Sequence, residues 1–353
     1  LLRLLLVQRG MLLLILGLVI AVMPYWAAEG FLYDHYLYHD QTIKWFHRFP
    51  VPAGLTNLHG RLEFNNASFP IASSFQTGIN SHWYFINAGV LTMFLFKSIR
   101  LLTSPEASKW LRVGIVLLTC TVCIYAHPFM SGNSPDLQIA VFTGYLMITL
   151  AADGWRIGQP LFILALLAFM LVTKINVRVF AVMLGLVILW RHRSRSGYLR
   201  MWIFPAGIGL VWISRSLVMS GQLLYPFPGL HLNVFDHAVP LTHVEELRDL
   251  IVACGPSPGP GSLERYRALA DGFAGVRDWY VGRADHAYTH LPGDIRISLK
   301  VLMWLGVVVG AWSIIRLVFR RQVFGLPFIL IFALMANVVF WFLTGPDFRF
   351  AFP

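Results

Sequence analysis

Asp34, His35, His39 and Asp40 crowd the stretch FLYDHYLYHDQTIKWFHRF, residues 31–49. A carboxylate beside imidazoles can take a proton from an attacking hydroxyl, or help to hold a divalent metal. His35 and His39 stand four residues apart, which puts both rings on one face of a helix. No HExxH pattern or third ligand completes that pair. Hydrogen bonding at an interface is the plainer role for both histidines. Asp34 also has a plain reading, as a solvated loop residue or a helix N-cap. If residues 35–47 are helical, Asp40 and Lys44 pair at i,i+4 in the favourable order. Ile43 and Phe46 would then dip into a lipid boundary.

More candidates follow along the chain. NLHGRLEFNN (57–66) groups His59, Arg61, Asn65 and Asn66. The fork of Arg61 suits a phosphate or carboxylate, and a salt bridge to Glu63 or Asp34 is the alternative. Asn66-Ala67-Ser68 is a formal but weak glycosylation sequon. In HPFMSGNSPDLQIAV (127–141), Ser134, Pro135 and Asp136 read as a helix start. That start by itself accounts for Asp136. VTKINVRVF (172–180) places Lys174 and Arg178 between two apolar runs. Charges at membrane depth face a polar partner or snorkel to the interface. Arg215 in WISRSLVMSGQLLYPF closes another apolar run, and Asp347 and Arg349 follow the last one.

These residues need elements to position them, and composition bounds what those elements are. The chain has 353 residues, 57% hydrophobic and 13% charged. That is too few charges to cover a soluble globule, for which about 25% is usual. About nine apolar runs approach spanning length. They lie near 11–28, 83–103, 110–127, 136–152, 160–174, 177–190, 201–218, 299–318 and 325–344. They are continuous rather than alternating, so an all-α polytopic membrane protein is expected. Residues 67–80 read as a partial or interfacial helix.

The net charge of +11 does not point to nucleic acid. Lys97, Arg100, Lys109, Arg112, Arg156, the run 191–200, Arg316, Arg320 and Arg321 all fall on one side if the nine runs alternate. That is the side of Arg3 and Arg9, so the N-terminus is expected inside, in a bacterial cytoplasmic membrane. The opposite face receives two long loops, 29–82 and 219–298, and nearly all the histidines. HVEELRDLIVA and SLERYRALADGF in the second loop read as short amphipathic helices. One transmembrane domain over 1–353 is expected. Its N-terminal run reads as a signal anchor, and further residues are expected beyond both ends. Cys120 and Cys123 sit in an apolar run and read as packing residues.

YDHYLYHDQTIKWF, GLTNLHGRLEFN, SPDLQ, VTKINVR, SGQLLYPF and PDFRF together resemble the GT-C superfamily of polytopic glycosyltransferases. They also resemble a group of bacterial multispanning proteins associated with cell-surface polysaccharide loci. The resemblance covers most of the chain. It implies transfer of a sugar from a polyprenyl-phosphate-linked donor to a glycan, lipid or protein acceptor on the outer face. It implies Asp34 as the first-loop acid that takes the acceptor's proton. Asp136 falls where a second polar feature often lies. The familiar paired acid is absent, since His35 follows Asp34. A divalent cation stays open as cofactor.

In that chemistry Lys174, Arg178, Arg215 and Arg349 stabilise the departing lipid phosphate. His39, Asp40, His59, Arg61, Asp136 and Asp347 complete the expected substrate contacts. Two other classes compete. A secondary transporter would place paired charges near the bilayer midplane. A ligase or polymerase of O-antigen type would use Arg248, Arg265, Arg267 and His286 or His290 in the second loop.

Overall fold

A computed structural model describes residues 2–27, 35–49, 51–75, 84–126, 132–154, 160–174, 177–193, 198–254 and 326–344, with isolated positions from 308 to 315. Among the described residues the secondary structure is helical, without strands. The chain divides into two compact units.

The first unit takes Leu1–Ile175, Arg191–Tyr225 and Leu230–Val239. Its long helices are α1 (Leu2–Ala27), α4 (Tyr84–Leu102), α5 (Lys109–Ala126), α6 (Pro135–Asp153), α7 (Pro160–Thr173) and α9 (Tyr198–Ser220). Between α1 and α4 lies a small lobe built on α2 (Asp40–Arg48) and α3 (Ser68–Ser74). A π-turn at His35–His39 enters α2, and 3₁₀ turns occupy Leu55–Asn57 and Gly60–Glu63.

Helix α6 is the central element, packed by α4, α5 and α7, while α1 packs on α4 and α7 on α9. Its start follows the sequence expectation. Ser134 Oγ accepts from the Asp136 N–H at 3.2 Å, with Pro135 in the first turn. Gly144 lets two neighbours approach closely. A Cβ there would lie 3.0 Å from the Phe94 ring and 3.1 Å from a Val122 methyl. At the other end of α6, Lys97 of α4 meets Asp153 at 3.4 Å. That contact joins the two ends expected to face inward.

The lobe has its own small core. Ile43, Phe46, Leu55, Leu62, Phe69 and Ala72 are buried together with Met219 of α9. Each large side chain buried this way contributes roughly 1.5–3 kcal/mol. Ile43 and Phe46 therefore pack against protein, not into lipid as expected. The predicted Asp40–Lys44 pair forms at 2.6 Å. Acid in the first turn of α2 and His47 and Arg48 in its last turn also suit the helix dipole. Of the partial or interfacial helix expected within 67–80, Ser68–Ser74 forms α3, with Phe69 and Ala72 in the lobe core.

The second unit takes Asn176–Trp190, Pro226–Gly229 and Pro240–Pro353. Its described helices are α8 (Arg178–Arg191, its last residue excepted), α10 (Leu241–Cys254) and α11 (Leu326–Thr344). Within it, Asn337 Oδ1 of α11 accepts from the Phe180 N–H at 3.1 Å. This satisfies a free donor in the first turn of α8. α10 is the first of the two amphipathic helices expected in the second loop. The other lies outside the described residues.

Helices cover eight of the nine expected apolar runs, and most of 299–318 lies outside the described residues. By length and apolar composition, Pro135–Asp153 and Met201–Ser220 pass as membrane-crossing helices among the described residues. Arg9–Ala21, Pro160–Thr173 and Phe328–Asn337 are apolar but shorter. That test does not support the count of nine.

Candidate functional site

The lobe docks on the end of the first unit where α6 starts and α7 and α9 finish. Backbone ties set its position. The Gly54 N–H donates to the Val218 carbonyl at 3.1 Å, and the Ala67 N–H to the Val172 carbonyl at 3.2 Å. Thr56 Oγ1 donates to the Met219 carbonyl at 2.9 Å. Asn65 and Trp212 exchange two hydrogen bonds, Nδ2 to the Trp212 carbonyl and Nε1 to the Asn65 carbonyl. These bonds satisfy backbone and side-chain groups that the docking removes from water.

Two polar nests result. In one, Lys174 forms an ion pair with Asp136, and both side chains are nearly buried, 13% and 11% exposed. Ser134 Oγ donates to the other Asp136 oxygen at 2.9 Å. The cap explains only part of Asp136, because Lys174 answers its charge. Gln138 Nε2 reaches Asn133 Oδ1 at 3.3 Å, and the Asn133 N–H donates to His35 Nδ1 at 3.4 Å. His35 is buried, and burial holds its basicity below the ordinary range. A neutral ring matches its role as acceptor.

The second nest is one the sequence reading did not single out. Glu63, in the 3₁₀ turn Gly60–Glu63, is fully buried. Its Oε1 accepts from Ser216 Oγ of α9 at 3.0 Å. Burial holds the Glu63 carboxyl well above the usual carboxylate range, against smaller opposing effects of Ser216 and Arg215. The Arg215 guanidinium lies over the Phe46 ring, 4.7 Å from its centre. The tyrosine phenol of Tyr225 is also pushed up, by burial and by Glu63. Ser216 and Ser220, which act on this acid, are fully buried, as is Gln222, whose N–H donates to Ser220 Oγ. The available signal was that Glu63, in the first long loop, and Arg215-Ser216, closing the run 201–218, were expected on one face.

Other predicted residues have different roles. His59 Nδ1 accepts from the Arg61 N–H at 3.2 Å and so caps the 3₁₀ turn. Arg61 sits over the Tyr38 ring at 5.7 Å, and Glu63 is not its ion-pair partner. His39 is buried between the Tyr38 and Phe69 rings. Asn66 is buried, and its Oδ1 accepts from the N–H of Ser68, the first residue of α3, at 2.8 Å. That occupies the sequon. Arg178 starts α8 in the second unit. Arg248 pairs with Asp249 at 2.5 Å on an exposed face. Cys120 and Cys123 are free and exposed on α5, not packed. Asp34, Asp347, Arg349, Arg265, Arg267, His286 and His290 lie outside the described residues. Among the described residues no three His, Cys, Asp or Glu side chains converge as a metal site.

No curated protein and no solved structure matches the chain. Residues 3–353 match one family, described as Domain of unknown function (DUF8201). That match spans both units and every polar group described above, and the chain belongs to this family.

Proposed function

We propose that the protein is a membrane-embedded glycosyltransferase of the GT-C kind. It takes a sugar from a polyprenyl-phosphate-linked donor, and about nine helices cross a bacterial cytoplasmic membrane with the N-terminus inside. The observation that carries this reading is the docking of the first-loop lobe. It gathers Glu63, Arg215, Asp136 and Lys174 at one end of a bundle whose flanks are apolar. Those flanks expose large side chains, with Leu14 of α1 at 63%, Leu117 of α5 at 63% and Ile203 of α9 at 67%. Exposed apolar surface of that extent marks a lipid or partner contact. Polar chemistry at the end of such a bundle suits a substrate with a prenyl tail and a charged head.

In this reading Asp34 takes the acceptor proton and arginine stabilises the leaving phosphate. The two nests divide the cationic work. Lys174 is neutralised by Asp136, whereas no ion pair ties Arg215 to Glu63. Arg215 is therefore the better phosphate contact among the described residues. Both nests lie at helix ends, not mid-helix, which favours a headgroup enzyme over a transporter with midplane charges.

The test uses purified protein in lipid nanodiscs with a prenyl-phosphate-linked hexose or pentose and a glycan acceptor. Sugar transfer that is lost in Asp34→Asn and in Arg215→Gln supports the proposal. Native transfer by Asp34→Asn removes the base assignment. Proton-coupled uptake in proteoliposomes without any transfer replaces the enzyme reading by transport.

A further inference from the structure

The nest around Glu63 has a chemical asymmetry. Glu63 Oε2, Arg215 Nη2 and Gln222 Nε2 are all buried, and none has a hydrogen-bond partner among the described residues. Buried polar groups are nearly always hydrogen-bonded, so such a set calls for an explanation. The nitrogen atoms of Arg215 and Gln222 are donors only. Gln222 is orientated by its other end, since its Oε1 accepts from the Leu232 N–H at 3.0 Å. Its N–H likewise donates to Ser220 Oγ at 3.2 Å. Each of these nitrogens therefore asks for an acceptor, and the Arg215 charge asks for an anion.

Glu63 decides whether an anion is tolerated there. A carboxylate in this position would be fully buried without a salt bridge, with Arg215 opposing the cost of burial only in part, and burying such a charge is costly. It would also repel a phosphate. As an acid it donates instead. Its Oε1 keeps the bond from Ser216, and Oε2 carries the proton. Among the described residues, the charged and titratable groups that act on it are Arg215 on α9 and Tyr225 in the segment beyond; Arg61, on its own turn, lies over the Tyr38 ring instead.

We propose that Glu63 is a positioning residue. As a neutral carboxylic acid it leaves the Arg215 guanidinium unneutralised. It also adds its own O–H to the Arg215 and Gln222 donors for the phosphate group of a lipid carrier. The inference rests on the glycosyltransferase reading for the carrier, but not for the anion. The nest differs from the Asp136–Lys174 pair in kind. There an ionised acid cancels a cation, and here an un-ionised acid spares one.

Infrared difference spectroscopy of the full-length protein in nanodiscs reads the acid directly. Between wild type and Glu63→Gln at pH 7.5, a protonated-carboxyl stretching band is expected in wild type and absent from the variant. A carboxylate band in its place overturns the proposal without any appeal to ligand. The second measurement is binding of a short-chain prenyl phosphate and of inorganic phosphate, by calorimetry at the same pH. Arg215→Gln and Gln222→Ala are expected to weaken binding, Arg215→Gln by about tenfold or more. Glu63→Gln, which keeps a neutral donor, restores the affinity that Glu63→Ala loses. Loss in Glu63→Gln as deep as in Arg215→Gln overturns the role of the neutral acid. Binding of inorganic phosphate without prenyl phosphate keeps the anion site and removes the lipid carrier. Binding of neither overturns the site.

Discussion

Asn65 and Trp212 hold each other by two hydrogen bonds. Asn65 Nδ2 donates to the Trp212 carbonyl at 2.7 Å, and Trp212 Nε1 donates to the Asn65 carbonyl at 2.6 Å. One partner is in the lobe and the other is inside α9. Asn65 has φ 41°, a left-handed backbone that asparagine tolerates better than most residues. Asn65→Ala loses a buried bond and raises the backbone strain. It should lower stability by about 2 kcal/mol, read as a drop in Tm of purified protein. Trp212→Phe, which keeps the ring but not the donor, should cost about half of that. Unchanged melting in both variants would mean that the lobe is held by its core alone.

The Asp136–Lys174 pair should be asymmetric to mutation. Removing one partner strands a charge in a site that is nearly dry. Lys174→Met alone should cost about 3–5 kcal/mol, and adding Asp136→Asn should recover much of it. Chemical denaturation of the two single variants and the double variant measures the coupling. Additive effects would contradict the pair.

Glu63 predicts a pH dependence of known sign. Its carboxyl is raised in the folded protein, so the folded state holds a proton that the unfolded state releases above about pH 4.3. Stability from this group is full below that pH. It falls as pH rises toward the folded value, by about 1.4 kcal/mol per pH unit. Glu63→Gln has no such proton and should lack this slope. The stability difference between the variant and wild type, followed from pH 5 to 8, should grow in favour of the variant. A constant difference would mean that Glu63 is ionised in the fold.

Gly221 ends α9 with φ 74°, and a Cβ there would meet the Ala238 Cα at 2.6 Å. Its N–H closes on the Leu217 carbonyl at 2.9 Å. Gly221→Ala combines a strained backbone with a clash against backbone atoms. It should cost more than about 1 kcal/mol and disturb the neighbouring Gln222. Gly154, also at positive φ, has nothing within 4 Å of its Cβ position. Gly154→Ala should therefore be milder, and thermal melting of the two variants gives the comparison.

Orientation is testable in whole cells. Leu58 in the lobe is exposed, and Arg193 follows α8 on the side expected to be cytoplasmic. In a background without native cysteines, Leu58→Cys should react with a membrane-impermeant thiol reagent, and Arg193→Cys should react only after lysis. The reverse pattern would invert the proposed topology.

The helices were legible because apolar runs and capping residues are local signals. Ser134-Pro135-Asp136 specifies a helix start whatever surrounds it. Asp40 and Lys44 pair because four residues make about one helical turn. The sequence also drew the lobe, the end of α7 and the end of α9 to one face, through the placement of arginines and lysines. It did not distinguish the two nests. Lys174 and Arg215 look alike in sequence, each a lone cation at the edge of an apolar run. Asp136 lies 38 positions from Lys174, and Glu63 lies 153 positions from Ser216. Only folding decides that the first acid meets its cation directly while the second meets a hydroxyl. Asp136 meets the Lys174 ammonium, whereas burial without a salt bridge pushes the Glu63 carboxyl well above the usual carboxylate range. The sequence by itself determined the helices and the face on which the chemistry gathers. The tertiary structure decided which acid meets a cation and which is enclosed beside a hydroxyl, because burial and partners depend on long-range packing that chain spacing does not encode.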